Sequence, residues 1–380
     1  MLGIQRGSDS ILKIKVKESK CGFVRKEIRT VIEGTSSEKM TSLDSLYQAS
    51  NLSANGVRWK DSVQKFLSSV LFNISDIQDD LLMLKNICLG FICFVKNERG
   101  KTRNISSVKF RERVVQKAIC KNALIPVLTY NLIEDNSASR KGKGTTYATK
   151  RVIKYLRKHY NKYGNEGYAL VIDFKGYFEN IEHQPCKKNL NKYFSDERIL
   201  KYANDFIDAF GEKGLGLGSE TSQINAIAYI NSIDHFIKEK LRIKAYERYM
   251  DDSCIIHRDK NVLKTILNVL EKKYNEYGIV LNKKKTVICK LRRGFTFLQT
   301  KFILTDNGKV VRKPNRKRIT AERRKLKKQA KMHNEGRLSI EAINTSFNGW
   351  LESMRIRTAR KTVYSMKCLY KKLFMKGVEL

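Results

Sequence analysis

Only three prolines occur in 380 residues, so few segments are barred from helix or from strand pairing. No stretch of eighteen apolar residues exists, which excludes a bilayer-spanning helix. The opening Met1-Leu2-Gly3-Ile4-Gln5-Arg6 lacks the apolar core of a signal peptide. The eight cysteines are scattered, without the spacing of a zinc module or a disulfide framework. They read as reduced, buried small hydrophobes and point to a cytoplasmic setting. There is no internal repeat and no Gly/Ser linker. Acid is in deficit: 38 Asp and Glu face 76 Lys and Arg, a net charge of +38. That excess exceeds what solubility needs and implies a polyanionic partner. Phosphate backbones fit best. A membrane surface is the rival polyanion, with no apolar span to support it.

The length allows two or three subdomains with real cores. Residues 1–40 are basic and mixed, an expected extension that orders on contact with nucleic acid. From Ser42 to Ser69 apolar residues recur at helical spacing, through Leu43, Leu46, Tyr47, Trp59, Val63, Phe66 and Leu67. Ile87 to Val95 reads as a strand, with its turn at Asn97-Glu98-Arg99-Gly100. Phe110 to Leu128 and Tyr147 to Tyr160 read as helices on either side of a basic loop, Arg140-Lys141-Gly142-Lys143-Gly144. Tyr168 to Ile172 is a continuous apolar run, a buried strand. Between Arg312 and Lys331, eleven of twenty residues are Lys or Arg. Leu326, Ala330, Leu338, Ile340, Ile343, Phe347, Trp350, Leu351 and Met354 then supply helical spacing for a three-helix bundle with one basic face. Such a bundle can lie along a duplex and neutralise phosphates without reading bases.

The densest chemistry is Tyr249-Met250-Asp251-Asp252. Apolar residues flank it on both sides, which predicts two short strands joined by an acidic turn. Paired carboxylates at a hairpin tip suit a hard cation such as Mg²⁺. A third carboxylate, Asp173, stands where the strand Tyr168–Ile172 ends. Three such groups can surround two metal ions about 3.5–4 Å apart, the spacing of two-metal phosphoryl transfer.

Together with Phe178, five positions after Asp173, these residues resemble the palm of a reverse transcriptase. Other segments follow in that family's order. Phe94-Val95-Lys96 and Gly100-Lys101-Thr102-Arg103 resemble the fingers. Leu217-Gly218-Ser219-Glu220-Thr221-Ser222-Gln223 resembles the glycine-serine motif. Leu281-Asn282-Lys283-Lys284-Lys285-Thr286 resembles the motif whose lysine lies near the pyrophosphate. Gly294-Phe295-Thr296-Phe297-Leu298 resembles the primer grip. The likeness spans about Phe91 to Phe302, and five motifs in order are specific where one would not be.

The resemblance implies an α+β right-hand polymerase of fingers, palm and thumb. An antiparallel palm sheet packs on helices, and the thumb is helical and basic. The implied partition is an N-terminal extension at 1–40, fingers at 41–165, palm at 166–305 and thumb at 306–380. It implies an RNA-directed DNA polymerase that uses two Mg²⁺ ions, with Mn²⁺ as a substitute. Asp173, Asp251 and Asp252 are the expected metal ligands, and with Lys285 the catalytic set. Lys96, Arg103, Phe178, Leu217, Gly218, Gln223 and Tyr249 are expected at the nucleotide. Phe297 and Leu298 are expected at the primer. Arg140, Lys141, Lys143, Arg316, Lys317, Arg323, Arg324 and Lys327 are expected along the nucleic-acid backbone.

Many reverse transcriptases carry Gln and Pro where this chain has Leu217 and Gln223. That variant resembles the bacterial diversity-generating retroelement enzymes, as does Asn136 to Gly144. Such enzymes imply a structured noncoding RNA template, dNTPs, a DNA product, a small accessory protein and a bacterial cytoplasm. Bacterial antiphage defence reverse transcriptases are the alternative; some act with a noncoding RNA and a partner polymerase. Gln299, where many relatives have glycine, departs from both branches. Without a His-Asn-His cluster or zinc module, an intron maturase fits less well. A non-catalytic RNA-binding protein would explain the charge and leave the three aspartates unexplained; a nucleotide cyclase would not need the basic bundle.

Overall fold

The structure is a computed structural model that describes residues 37–98 and 101–375. Residues 1–36 of the expected basic extension, and Gly100 of the expected fingers motif, lie outside the described residues. The described residues open with helices over Ser37–Thr41, Leu43–Ala54, Asp61–Ser68 and Val70–Leu82. Ser42 caps the second, its side chain accepting from the Ser45 N–H at 3.3 Å. A hairpin follows, β1 (Phe91–Glu98) and β2 (Lys101–Val108), paired to Glu98 opposite Lys101. The strand starts later than its apolar run, because Gly90, at φ +75°, redirects the chain after buried Ile87. The helix expected over Phe110 to Leu128 is interrupted. It runs Phe110–Ile119, widens into a π-turn at Cys120–Leu124 and resumes at Ile125–Tyr130. Pro126 lies at the restart. Its missing N–H breaks the i to i−4 ladder, and the wider turn absorbs the mismatch.

A four-stranded antiparallel sheet forms the centre, ordered β4-β5-β3-β6. Its strands are β3 (Tyr168–Ile172), β4 (Tyr246–Tyr249), β5 (Asp252–His257) and β6 (Val287–Lys290). β3 is apolar throughout because both its faces are covered. Leu170, Ile172, Tyr246 and Ile255 face one core, shared with the helices Phe110–Ile119, Glu220–Tyr229 and Lys260–Glu276. Ala169, Val171, Cys254 and Ile256 face a second core. There the helix Thr145–Tyr163 packs, together with a three-stranded sheet of β7 (Phe295–Phe297), β8 (Thr300–Leu304) and β9 (Val310–Pro314).

The C-terminal helices Arg316–Asn334, Ile340–Met354 and Arg360–Phe374 enclose a third core of Leu326, Ile343, Phe347, Trp350, Met366 and Tyr370. Phe347 stacks on Tyr370 with ring centroids 4.8 Å apart. This three-helix unit agrees with the apolar spacing. It joins the rest through β9, where the Thr358 N–H donates to the Arg312 carbonyl at 2.7 Å. Among the described residues, no helix is long and apolar enough to cross a membrane.

Candidate active site

The β4–β5 hairpin closes in two residues, Met250 and Asp251, with Tyr249 paired to Asp252. Met250 takes φ +54°, a left-handed conformation that usually falls to glycine in so tight a hairpin. β3 pairs with β5 through Ile172 opposite Ser253. Carried one residue further, that register sets Asp173 level with Asp252, on one face of the sheet. Asp251 stands in the turn beside them.

The segment after β5's helix is fastened to Asp173 through the main chain. The Asp173 carbonyl accepts from the Asn282 N–H at 2.8 Å, and the Thr286 hydroxyl lies 3.3 Å from both its N–H and its carbonyl. A short turn, Asn282 to Thr286, places the Lys285 ammonium 3.1 and 3.0 Å from the two carboxylate oxygens of Asp173. The lysine is exposed and the aspartate only 14% so. Lys285 is thus the member of the run of three lysines that reaches Asp173. The three-carboxylate cluster is less gathered than expected: among the described residues, no group of three or more His, Cys, Asp or Glu side chains is set to hold a metal ion. The donor chemistry nonetheless fits a hard divalent cation. Asp173 and Asp252 offer carboxylate oxygens from adjacent, partly buried strand ends, and Asp173 already receives an ammonium on both oxygens.

Behind the hairpin lies a buried network that the motif reading missed. Arg248 and Asp234 are both fully buried. The Arg248 guanidinium donates to both Asp234 oxygens at 2.6–2.9 Å, to the Ile227 carbonyl at 2.7 Å and to the Met250 carbonyl at 3.2 Å. Tyr246 also donates to Asp234, at 2.6 Å. One side chain thus ties the hairpin turn to the helix that follows Ser219. The Arg248 N–H donates to the Asp135 carbonyl, and the Asp135 carboxylate binds Arg151, Tyr155 and Lys238. The signal was present in the sequence: Glu247 and Arg248 sit inside a strand whose neighbours are core residues, and buried charges need partners.

The remaining expected residues divide. Lys96 and Arg103 are exposed and directly opposed on β1 and β2. Phe178 is half-buried, lies edge-on to the buried ring of Tyr177 at 5.8 Å, and accepts at its carbonyl from the Leu215 N–H at 2.7 Å. That bond sets the segment of Leu217 and Gly218 beside it. Gly218 takes φ +122°, where a Cβ would approach the Ser106 carbonyl to 3.1 Å. The Ser106 N–H in turn donates to the Leu217 carbonyl at 3.0 Å, so this loop and the β1–β2 hairpin are one unit. Gln223 is exposed on the following helix, and Tyr249 is half-buried at the end of β4.

Three residues are placed differently from their expected roles. Phe297 is 2% exposed and packs in the second core, so it anchors the hairpin rather than touching a primer. Leu298 and Gln299 form its turn, at φ +46° and +60°. Arg140 folds inward and donates to the carbonyls of Ile133 and Asn136 at 2.9 and 3.0 Å. Lys143 folds back on Glu134 at 3.0 Å. Both brace their own loop, where carbonyl and carboxylate partners replace phosphate. Lys141, Arg316, Lys317, Arg323, Arg324 and Lys327 are exposed.

A small antiparallel sheet with carboxylates at one end, helices beneath it and a basic helical unit beyond it defines an α+β polymerase fold. Residues 95–302 match the family model described as reverse transcriptase (RNA-dependent DNA polymerase), and the chain belongs to that family. No curated protein matches it. Among solved structures it is similar to telomerase from Candida albicans in complex with a TWJ fragment of telomeric RNA, with 15% identity, 75% of this chain and 55% of that chain covered, and a TM-score of 0.49. It is also similar to apo telomerase from Candida tropicalis truncated from its C-terminal domain, with 15% identity, 59% and 55% covered, and a TM-score of 0.46. The chain spans about half the length of these structures.

Glu247 gives a pH test of the buried network. Burial pushes its carboxyl up to about 9, against a hydrogen bond from Ser137 and with repulsion from Asp135. Folding therefore takes up a proton between the ordinary value of 4.5 and about 9. The contribution to stability is full below the lower value and falls as pH rises to the upper one, by at most about 1.4 kcal/mol per pH unit. Urea unfolding of Glu247→Gln should show that slope removed between these limits; equal slopes in both proteins would contradict a buried neutral carboxyl.

Proposed function

We propose that the chain is an RNA-directed DNA polymerase that extends a primer 3′-hydroxyl with dNTPs on a structured RNA template. The observation that carries this reading is the strand register that levels Asp173 with Asp252 beside the Asp251 turn, with Lys285 on Asp173. Residues 41–165 serve as fingers, 166–305 as palm and 306–380 as thumb. Asp173, Asp251 and Asp252 would hold divalent ions, Mg²⁺ or Mn²⁺, which supply an acidified 3′-hydroxyl and charge neutralisation at the leaving pyrophosphate.

The protein's own groups do the positioning. Lys96 and Arg103, opposed on one hairpin, neutralise the triphosphate as basic clamps do in phosphoryl transfer. Lys285, exposed beside Asp173, donates a proton to the departing pyrophosphate. Phe178 and Leu217 shape the sugar site; Phe178 clashes with a 2′-hydroxyl and so selects deoxynucleotides. Leu217 removes the hydrogen bonds that a glutamine would make there, which supports a looser, more error-prone site. The exposed cations of the helix Arg316–Asn334 run along the duplex backbone.

The Leu217 and Gln223 pattern supports a bacterial or phage retroelement as the setting, with a noncoding RNA template and an accessory protein. The second reading is an antiphage defence polymerase with its own noncoding RNA or a partner polymerase, and Gln299 departs from both branches alike. It stands at φ +60° in a turn where glycine is unstrained.

Two variants test the chemistry. Asp251→Asn should reduce incorporation on an RNA template by about 10³-fold or more, with RNA affinity nearly intact. Retained incorporation would contradict the metal role, and its absence in the wild-type protein at any Mg²⁺ or Mn²⁺ concentration would favour a non-catalytic RNA-binding protein. Phe178→Ala should admit ribonucleotides, raising their relative incorporation by about 10²-fold. Unchanged sugar discrimination would contradict the gate.

A further inference from the structure

The helix Thr145–Tyr163 turns Val152, Tyr155 and Leu156 into the second core. Its other side forms, with Arg312 of β9, a groove of about 530 Å³. Lys150, Lys154, Arg157 and Lys158 line that groove and are exposed. Arg151 on the same helix and nearby Lys238 are both paired to Asp135. None of the groove's cations has such a partner among the described residues, and no acidic side chain lines the groove.

This arrangement is costly alone. Lys150 and Lys154, then Lys154 and Lys158, are four residues apart; Lys154 and Arg157 are three apart. At those spacings like charges are surface neighbours and repel. A bound polyanion turns the repulsion into attraction. From Lys150 to Asn161 the helix rises roughly 16 Å, which matches about five phosphates along one strand of a duplex. Single-stranded nucleic acid is held by aromatic platforms on which bases stack, and no aromatic side chain lines this groove. Its lining suits the backbone of a double helix, and Asn161 adds a donor and an acceptor for 2′-hydroxyls.

The groove leads away from the catalytic turn. The helix begins near Asp135, whose carbonyl binds Arg248, and ends just before β3 begins, at the end of the sheet opposite Asp173. We propose that this groove holds the phosphate backbone of a double-helical segment of the template RNA, outside the stretch being copied. The proposal rests on the RNA-directed polymerase reading and adds a second RNA site to it.

The test uses the whole chain, the variants Lys154→Glu/Arg157→Glu and Lys154→Gln/Arg157→Gln, and three probes. One is an unstructured RNA template with annealed primer. The second carries in addition an RNA hairpin of about two helical turns. The third carries a DNA hairpin instead. We expect the Glu variant to bind the RNA-hairpin probe about tenfold or more weakly, with a salt slope shallower by roughly 2, while extension of the plain template changes by less than about twofold. The Gln variant should show a smaller loss of the same kind. Unchanged hairpin affinity in both variants would overturn the proposal and leave a protein partner as the groove's occupant. Equal loss on the DNA hairpin would overturn the RNA assignment, and equal loss on the plain template would merge the groove with the active cleft. If the wild-type chain extends no template, the polymerase reading fails while the affinity comparison still decides the groove.

Discussion

The buried ion pair between Arg248 and Asp234 is the constraint on which the site depends. Two charges lie where neither touches water. Removing them from solvent costs several kcal/mol each, and a pair of apolar side chains would fill the space more cheaply. What apolar residues cannot do is reach the Met250 carbonyl and the Ile227 carbonyl together. The guanidinium makes three connections from one rigid plane. It joins the helix bearing Asp234, the helix that starts at Ser219, and the hairpin turn between Tyr249 and Asp252. A left-handed Met250 is thereby held where glycine would otherwise be needed.

From that fixed turn the rest of the site follows through the sheet. β5 lies between β4 and β3, so a turn positioned by Arg248 positions Asp252, and the β3 register then sets Asp173 level with it. The Asn282 to Thr286 turn is bonded to the Asp173 main chain and brings Lys285 to the carboxylate. On the other side, Phe178 and Leu215 share a backbone bond, and Leu217 bonds Ser106 of the β1–β2 hairpin. The cations opposed at Lys96 and Arg103 are thus connected by main-chain links to the loop beside Phe178. Each link is short and polar, and together they fix the direction of side chains that the cores on both faces of the sheet hold in place.

The parts legible in the sequence were those with a period or a motif. β3 was visible as an unbroken apolar run because both its faces are buried. The acidic hairpin was visible because two carboxylates between apolar stretches have no structural use. The C-terminal three-helix unit was visible from its apolar spacing. The rest depended on tertiary partners. Whether Arg140 and Lys143 meet phosphate or their own loop's carbonyls is decided by where Ile133, Glu134 and Asn136 fold. Phe297 reads as part of a contact motif, yet its alternation with Thr296 sends it inward. Phe110 to Leu128 reads as one helix from its apolar spacing, and that spacing does not reveal the π-turn at Cys120–Leu124 just before Pro126.

The most direct test is a double-mutant cycle on the buried pair, Arg248→Met and Asp234→Leu, read by both urea unfolding and nucleotide incorporation on an RNA template. Each single variant should lose about 3–5 kcal/mol, because it leaves one charge buried alone. The double variant should regain most of that stability, since two apolar side chains suit the same space. Its incorporation rate should stay depressed by about 10²-fold, because nothing then holds the Met250 carbonyl. A double variant that recovers both stability and full incorporation would show that the pair merely fills the core, and would contradict the account.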